Sequence, residues 1–190
     1  KIDNRRMRFL TAQEARRLLA EIKPRSQSLY DSCLLSLFCG LRAGEIHALR
    51  WADVNLPTGE IYIKDPKNGY SRHAYMTAEI RRMLLARYHG QGKGDLIIPT
   101  RNGQMRKKVS DLFDQCVNIL GLNNGLEDRR QKVVFHTLRH TFASWHVERG
   151  TPLFQVGTLM GHRTVQMTQR YSHLSPDSAR RAAMIRAAPR

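Results

Sequence analysis

The sequence lacks any long apolar run. Its apolar stretches, such as residues 34–38 and 96–98, are far shorter than the roughly 20 residues that a membrane-spanning helix needs. The basic residues at positions 1–8 lead into no apolar segment, so they do not resemble a signal peptide. The sequence therefore predicts a protein with no membrane partner.

Cysteine is also scarce, and its spacing argues against a metal site. Cys33, Cys39 and Cys116 form no C-x-x-C pair, and each lies among apolar neighbours. This pattern excludes a disulfide framework and disfavours structural zinc. We expect buried free thiols in a reducing cytosol, which indicates a cytoplasmic protein.

Acidic residues are few compared with basic ones. The chain has 16 Asp and Glu against 32 Lys and Arg, which gives a formal net charge of +16. A positive field of this size predicts a polyanionic partner, and nucleic acid is the commonest one. The basic residues are spread along the chain and favour a folded basic surface. A merely basic soluble protein, or one that binds anionic membranes, remains the alternative at this point.

Helical spacing dominates a chain that is long enough for one domain with a sizeable core. The pair Thr11 and Glu14 is typical of a capping box, and Gly40 is typical of a helix stop. Together, apolar spacing, caps and stops predict helices at about residues 11–22, 28–38, 43–49, 77–88, 110–120, 137–149, 152–160, 164–171 and 175–187.

The pattern changes to alternation in the middle of the chain. Residues 60–64 and 72–76 alternate on either side of a set of turn formers, which predicts a β-hairpin with Lys67 at its tip. A short strand is predicted at residues 96–98, and the polar, glycine-rich residues 121–132 are predicted to form a loop. The expected fold class is α+β, mainly α-helical with a small antiparallel β-sheet.

Several charged and polar side chains lie where predicted helices begin or end, and they suit phosphodiester cleavage without a metal. The transition state spreads negative charge over the non-bridging oxygens, which guanidinium groups neutralise through fork-shaped hydrogen bonds. A tyrosine with its ordinary pKa of about 10 needs a cationic field or a base before it can attack, and a lysine can protonate the leaving oxygen. The candidates are Arg42, Lys67, His136, Arg139, His162 and Tyr171.

Taken one at a time, these residues have simpler explanations. An arginine in a helix bend more often forms a surface ion pair, and a tyrosine on a helix more often packs against the core. His140 and His146 are interpreted as packing or surface residues. Lys64 competes with Lys67 as proton donor, but we expect it to lie within the strand. The occurrence of all these candidates together, in this order, favours a catalytic site over the simpler explanations.

In this order the motifs resemble those of the tyrosine recombinase family, of the phage integrase type. They are G-L-R-A-G-E at residues 40–45, H-T-L-R-H at residues 136–140, and L-M-G-H at residues 159–162, with Tyr171 after eight further residues. Lys67 fits as well. The resemblance covers residue 10 to about residue 174. It implies the catalytic-domain fold of that family and a site-specific DNA recombinase that cleaves and rejoins DNA through a 3′-phosphotyrosine.

The resemblance implies a binding site for the scissile phosphate. Arg42 and Arg139 would bind the phosphate, and His162 would donate a hydrogen bond to it. Glu45 resembles the acidic residue that orients this cluster.

The resemblance also implies the proton transfers. Tyr171 would attack the phosphorus, while His136 would contact a non-bridging oxygen and assist proton transfer at the tyrosine. Lys67 would be the general acid for the 5′ leaving oxygen. The family needs no metal ion, ATP or redox cofactor.

For the rest of the chain, the resemblance implies an arrangement around DNA. Residues 1–9 would be the remnant of an interdomain linker, and residues 10–174 the catalytic domain. Residues 175–190 would form a C-terminal helix or tail that contacts a neighbouring protomer, or that folds back on its own core. The expected partners are double-stranded DNA and, in the full-length protein, three further copies in a homo-tetramer.

Other functions differ from this one by specific features. A Xer-type resolvase shares the motifs, and a type IB topoisomerase shares the chemistry but rejoins the same strand. A non-catalytic DNA-binding module would explain the charge but not the ordered candidates. A zinc enzyme would use the i, i+4 pair His136 and His140, but Thr137 occupies the position of the glutamate that it would need.

Overall fold

The structure is a computed structural model that describes residues 8–64 and 71–175. Its helices are α1 (Ala12–Ile22), α2 (Gln27–Cys39), α3 (Ala43–Ala48), α4 (Ala78–Arg87), α5 (Leu112–Ile119), α6 (Phe135–Glu148), α7 (Leu153–Met160) and α8 (Val165–Gln169). Its strands are β1 (Val54–Asn55), β2 (Glu60–Ile63) and β3 (Arg72–Tyr75), and short 3-10 helices lie at Trp51–Asp53 and Ser172–Leu174. The strands form one antiparallel sheet in the order β1-β2-β3. The predicted fold class is therefore confirmed.

Local sequence signals set the ends of α1 and α2 as predicted. Thr11 accepts a hydrogen bond from the Glu14 backbone N–H, and the Glu14 carboxylate accepts one from the Thr11 backbone N–H. Helix α2 begins after the N-cap Ser26 and ends at Gly40, whose φ of 66° is left-handed. A Cβ at Gly40 would lie 2.7 Å from the Phe142 ring. Glycine is therefore needed here both for its backbone conformation and for its lack of a side chain.

The sheet buries one face of the predicted hairpin. Ile61 pairs with Ala74, and Ile63 pairs with Arg72. These four residues are buried, whereas the residues between them on each strand are exposed. The hairpin prediction is confirmed, but its tip, including Lys67, lies outside the described residues.

Two hydrophobic clusters form the core. The larger one contains residues of helices α1 through α5, of the sheet and of the first turn of α6. Leu18 and Phe113 are among its fully buried members. The smaller one lies between α6 and α7 and includes Phe142, Val156 and Tyr171. Helix α6 contributes residues to both clusters and packs against α2. The ring of Tyr171 is thus held by core packing, although the residue lies near a chain end.

Two expectations from composition can be compared with the structure. The three cysteines are buried free thiols, as predicted. In the described part of the chain, each helix is too short or too polar to cross a membrane.

The strand prediction for residues 96–98 is wrong. Leu96 forms an isolated bridge with Arg50, and the described residues provide no longer ladder for this segment. Because Ile97 and Ile98 are buried, the apolar run reflects core packing and not strand pairing. Strand β1 was not predicted, since its two residues are too few to display an alternating pattern. Lys64 lies one residue beyond β2, with its ammonium 2.5 Å from Asp53 Oδ1, and not within the strand as expected.

Two helix ends near the predicted site also differ from expectation. Helix α6 begins at Phe135, two residues early, because the Val134 backbone N–H donates to Thr137 Oγ1 (3.0 Å) and closes the first turn. Helix α8 ends at Gln169, and Tyr171 lies in the following turn, where its backbone N–H donates to the Thr168 carbonyl. The predicted final helix at residues 175–187 and most of the predicted linker lie outside the described residues.

Candidate active site

One cavity brings together five of the predicted site residues. It has a volume of about 120 Å³ and lies between α6, the end of α7 and the turn after α8. Its lining residues are Arg42, His136, Arg139, His140, Met160, His162, Met167, Arg170 and Tyr171. Glu45 lies directly behind the cavity, and Lys67 lies outside the described residues.

Chain reversals and helix starts place these side chains. Arg42 is the N-cap of α3, just beyond the left-handed Gly40. His136 and Arg139 lie in the first turns of α6, one turn apart and on one side of the helix. His162 follows Gly161, the left-handed residue that ends α7. The site is thus assembled from segments that are distant in sequence and converge at helix ends.

Glu45 binds two arginines at once. Its carboxylate accepts hydrogen bonds from the Arg42 backbone N–H (2.8 Å) and from Arg42 Nη1 (2.7 Å). It also accepts two parallel bonds from Arg72, at 2.9 and 2.8 Å. Burial alone would raise its pKa, but the bonds and charge of Arg72, the Arg42 N–H and the charge of Arg139 lower the pKa of Glu45 to about 2. Glu45 is therefore a fixed anion that holds Arg42 in place.

Arg72 holds Glu45 in place at the site and was not predicted from the sequence. Besides its two bonds to Glu45, its Nε donates to the Leu159 carbonyl at 3.0 Å. The side chain also lies against Gly161, where a Cβ would be 2.9 Å from Arg72 Cδ. It connects the hairpin to the end of α7. The available signal was an arginine on the buried register of β3, a position that requires a buried anion as partner.

Arg139 connects the chain reversals at Gly40 and Gly161, which precede the site residues Arg42 and His162. The residue is only 1% exposed, and its side chain donates hydrogen bonds to the carbonyls of Gly40 and Met160. Burial, together with the charge of Arg42, lowers the pKa of Arg139 to about 9, and Glu45 opposes this shift. The guanidinium remains charged at neutral pH and fixes the bend before Arg42 relative to the segment before His162.

His162 is a neutral imidazole at neutral pH. Burial, followed by the charges of Arg139 and Arg42, lowers the pKa of His162 to about 3. Its Nδ1 lies 2.8 Å from Thr168 Oγ1, which ties the residue to α8. One ring nitrogen is thus used for positioning, and the other is available to a ligand as a neutral hydrogen-bonding group.

Tyr171 is held by a histidine that was interpreted as a packing or surface residue. The Tyr171 hydroxyl lies 2.5 Å from His140 Nδ1, and the His140 ring makes an edge contact with His136, with 4.7 Å between ring centroids. Burial raises the pKa of Tyr171 to about 12, although Arg170 and Arg139 oppose this rise. His140 is buried, but beside the candidate site, because its i, i+4 spacing from His136 puts both rings on one face of α6. His146, by contrast, does not line the cavity and packs against Phe142.

The chain is similar to known recombinases over most of its length. A profile of the phage integrase family matches residues 8–178. A shufflon-specific DNA recombinase of Escherichia coli is 29% identical over 175 residues, which cover 92% of this chain and 42% of the relative. The chain spans about half the length of the curated relatives that it matches.

Solved structures share the fold. The catalytic domain of bacteriophage HP1 integrase is 26% identical, with a TM-score of 0.69, over 93% of this chain and 94% of that domain. The integrase of transposon Tn1549, solved with a circular intermediate DNA, has a TM-score of 0.76 over 95% of this chain and 66% of that one. At 21% identity the second likeness concerns the fold alone.

Fold and cavity together define a tyrosine recombinase catalytic domain. The chain belongs to the phage integrase family. The predicted family and domain type are therefore confirmed, while the roles of the individual site residues remain predictions.

Proposed function

We propose that the chain catalyses site-specific DNA recombination by cleaving and rejoining double-stranded DNA through a 3′-phosphotyrosine. The observation that carries the proposal is the cavity itself, in which a buried tyrosine hydroxyl lies among three arginines and three histidines. A hydrogen bond or an ion pair holds five of these side chains, namely Arg42, Arg139, His140, His162 and Tyr171. Such pre-organisation is what stabilisation of a phosphoryl-transfer transition state requires.

In the proposed reaction, Arg42 and Arg139 bind the non-bridging oxygens of the scissile phosphate. His162 donates a neutral hydrogen bond, because its low pKa keeps it uncharged. Glu45 acts through Arg42, whose guanidinium it orients. The guanidinium charge offsets the negative charge that grows on phosphorus-bound oxygens as the nucleophile approaches.

The proton transfers follow from the contacts of Tyr171. Its oxygen forms a bond to phosphorus while the bond from phosphorus to the 5′ oxygen breaks. The phenolic proton passes to His140, whose Nδ1 already lies 2.5 Å from the hydroxyl. His136 contacts a non-bridging oxygen and supports the His140 ring. Lys67 supplies the proton that the 5′ oxygen takes up, a role that rests on the resemblance because Lys67 lies outside the described residues.

The covalent intermediate conserves the energy of the phosphodiester bond. A 5′-hydroxyl from another duplex attacks the phosphotyrosine and releases Tyr171. This reverse step joins new strands without ATP. The partner is double-stranded DNA in the cytoplasm, and the net charge of +16 supports a large contribution from phosphate contacts. In the full-length protein, we propose a homo-tetramer on DNA.

A nicked duplex that carries the crossover site and loses a short leaving strand on cleavage tests the proposal. We expect a denaturant-resistant protein–DNA adduct in the presence of EDTA, absent in Tyr171→Phe and retained in Tyr75→Phe, a matched change at an exposed tyrosine. Tight binding of that duplex with no adduct would instead indicate a non-catalytic DNA-binding module.

A further inference from the structure

Arg170 lines the same cavity as Tyr171 and is not among the predicted site residues. Its Nε is buried, and no atom of residues 8–64 or 71–175 accepts a hydrogen bond from it. Buried N–H groups in folded proteins nearly always have an acceptor. A buried Nε–H at the wall of a cationic cavity is therefore suited to donate to an anionic ligand.

The charge of Arg170 reaches two groups of the site. Burial raises the pKa of Tyr171 to about 12, and among the charges that oppose this rise Arg170 ranks ahead of Arg139. Arg170 is also among the arginines that lower the pKa of His162. The guanidinium thus stabilises the phenolate form of Tyr171.

We propose that Arg170 is a further catalytic residue, which donates through Nε to a non-bridging oxygen of the scissile phosphodiester and stabilises the Tyr171 phenolate by its charge. This role rests on the proposed function. Because Arg170 is adjacent to Tyr171 in sequence, it remains beside the phosphate after the covalent bond forms. It would therefore act in both cleavage and rejoining.

The geometry favours arginine over lysine in this role. The planar guanidinium presents Nε and the terminal nitrogens at fixed angles, whereas a lysine ammonium is a point charge on a flexible stem. Arg170→Lys should therefore keep the charge effect and lose the directed bond. Arg170→Gln should lose the charge.

Single-turnover cleavage with saturating DNA tests the contact with phosphate. We expect Arg170→Gln to slow adduct formation by about 100-fold at neutral pH, as for removal of one donor to a developing oxyanion. Arg170→Lys should recover part of this loss. Arg16→Gln, a matched charge removal at an exposed position of α1, should leave the rate unchanged. Equal rates in Arg170→Gln and the wild-type protein would overturn the proposal.

Titration of the nucleophile without DNA tests the charge effect independently of activity. A difluorotyrosine introduced at position 171 ionises at lower pH than tyrosine does, and its 19F signal reports the phenolate. The other charged or titratable groups around it are Arg42, His136, Arg139, His140 and His162. We expect a higher pKa in Arg170→Gln and little change in Arg170→Lys, with thermal unfolding measured for each variant.

The two measurements separate the inference from the proposed function. If the wild-type protein forms no adduct, the proposed function fails, and the titration alone decides whether Arg170 stabilises the phenolate. An unchanged titration in Arg170→Gln would overturn that part of the inference even if cleavage proceeds. A purely structural Arg170 would lower the unfolding temperature without moving the pKa of Tyr171.

Discussion

Glu45 is the anion on which the cationic site depends. Arg42 and Arg72 both bind its carboxylate, and Arg139 Nη1 lies 3.8 Å away. Removal of one partner from a buried ion cluster leaves the remaining charges uncompensated. The resulting loss of stability is larger than the net stability that the intact cluster contributes. The carboxylate therefore determines both the stability of this region and the position of Arg42.

Glu45→Gln should lower both stability and activity. The glutamine keeps the shape but cannot neutralise the arginines, so we expect a loss of about 3–5 kcal/mol in the free energy of unfolding, measured with denaturant. Glu127→Gln, at an exposed position in the loop before α6, is the control, with an expected change within about 0.5 kcal/mol. A stable Glu45→Gln protein with normal cleavage would contradict the assigned role.

The pKa of Glu45 also predicts acid sensitivity. Because it is lowered from 4.5 to about 2 in the folded protein, ionised Glu45 stabilises the fold above its unfolded pKa. This contribution, about 3 kcal/mol, should be lost as pH falls from about 4.5 to about 2. Unfolding experiments across this range should show the loss in the wild-type protein and a flatter profile in Glu45→Gln. Parallel profiles would contradict the prediction.

His140 provides a second test at the level of single residues. His140→Asn can keep a hydrogen bond to the Tyr171 hydroxyl but cannot take up its proton. We expect adduct formation to slow by about 100-fold, which is typical of the loss of a general base. His146→Asn, which removes a histidine of α6 that does not line the cavity, should cleave at the wild-type rate. Equal rates in His140→Asn and the wild-type protein would exclude His140 as the proton acceptor.

At the level of elements, glycine-terminated helices set the geometry of the site. The reversal at Gly40 lies directly before Arg42, and its carbonyl accepts a hydrogen bond from Arg139. A change in this backbone would move both Arg42 and Arg139.

Gly40→Ala should therefore reduce stability and activity together. Its φ of 66° and the 2.7 Å approach to the Phe142 ring predict a loss of about 1–3 kcal/mol in the free energy of unfolding. Gly44→Ala is the matched control, since nothing lies within 4 Å of a Cβ there and alanine favours a helix. Equal stability of the two variants, measured by denaturant unfolding, would contradict this assignment.

The elements differ in how far the sequence alone predicts them. The capping box of α1, the glycine stop at Gly40 and the alternation of the hairpin are local signals, and each predicted its element. Strand β1 has only two residues, and the bridge at Leu96 depends on Arg50, which is far away in sequence, so no local pattern predicts either of them.

The residues of the candidate site also differ in how far the sequence alone predicts them. The motif residues could be predicted because their order in the sequence is distinctive. Arg72, His140 and Arg170 were not predicted as site residues, because their places at the cavity depend on burial or on contacts with residues far away in sequence.

At the level of the whole molecule, the positive charge is the property most closely connected with DNA. A protein that neutralises several phosphates releases bound counterions, so the logarithm of the affinity falls linearly with the logarithm of salt concentration. We expect affinity for a duplex, measured by fluorescence anisotropy, to fall by about 1,000-fold or more between roughly 50 and 200 mM salt. A flat response would contradict an interface dominated by phosphate contacts.

The most direct test of the central claim is the chemical identity of the covalent link. The adduct formed on the nicked duplex should be digested with protease and nuclease and mapped by peptide mass spectrometry. We expect a nucleotide attached to Tyr171 through its 3′ phosphate, together with a free 5′-hydroxyl on the released strand. An adduct at any other residue, or a link through a 5′ phosphate, would contradict the assignment of Tyr171 as the nucleophile.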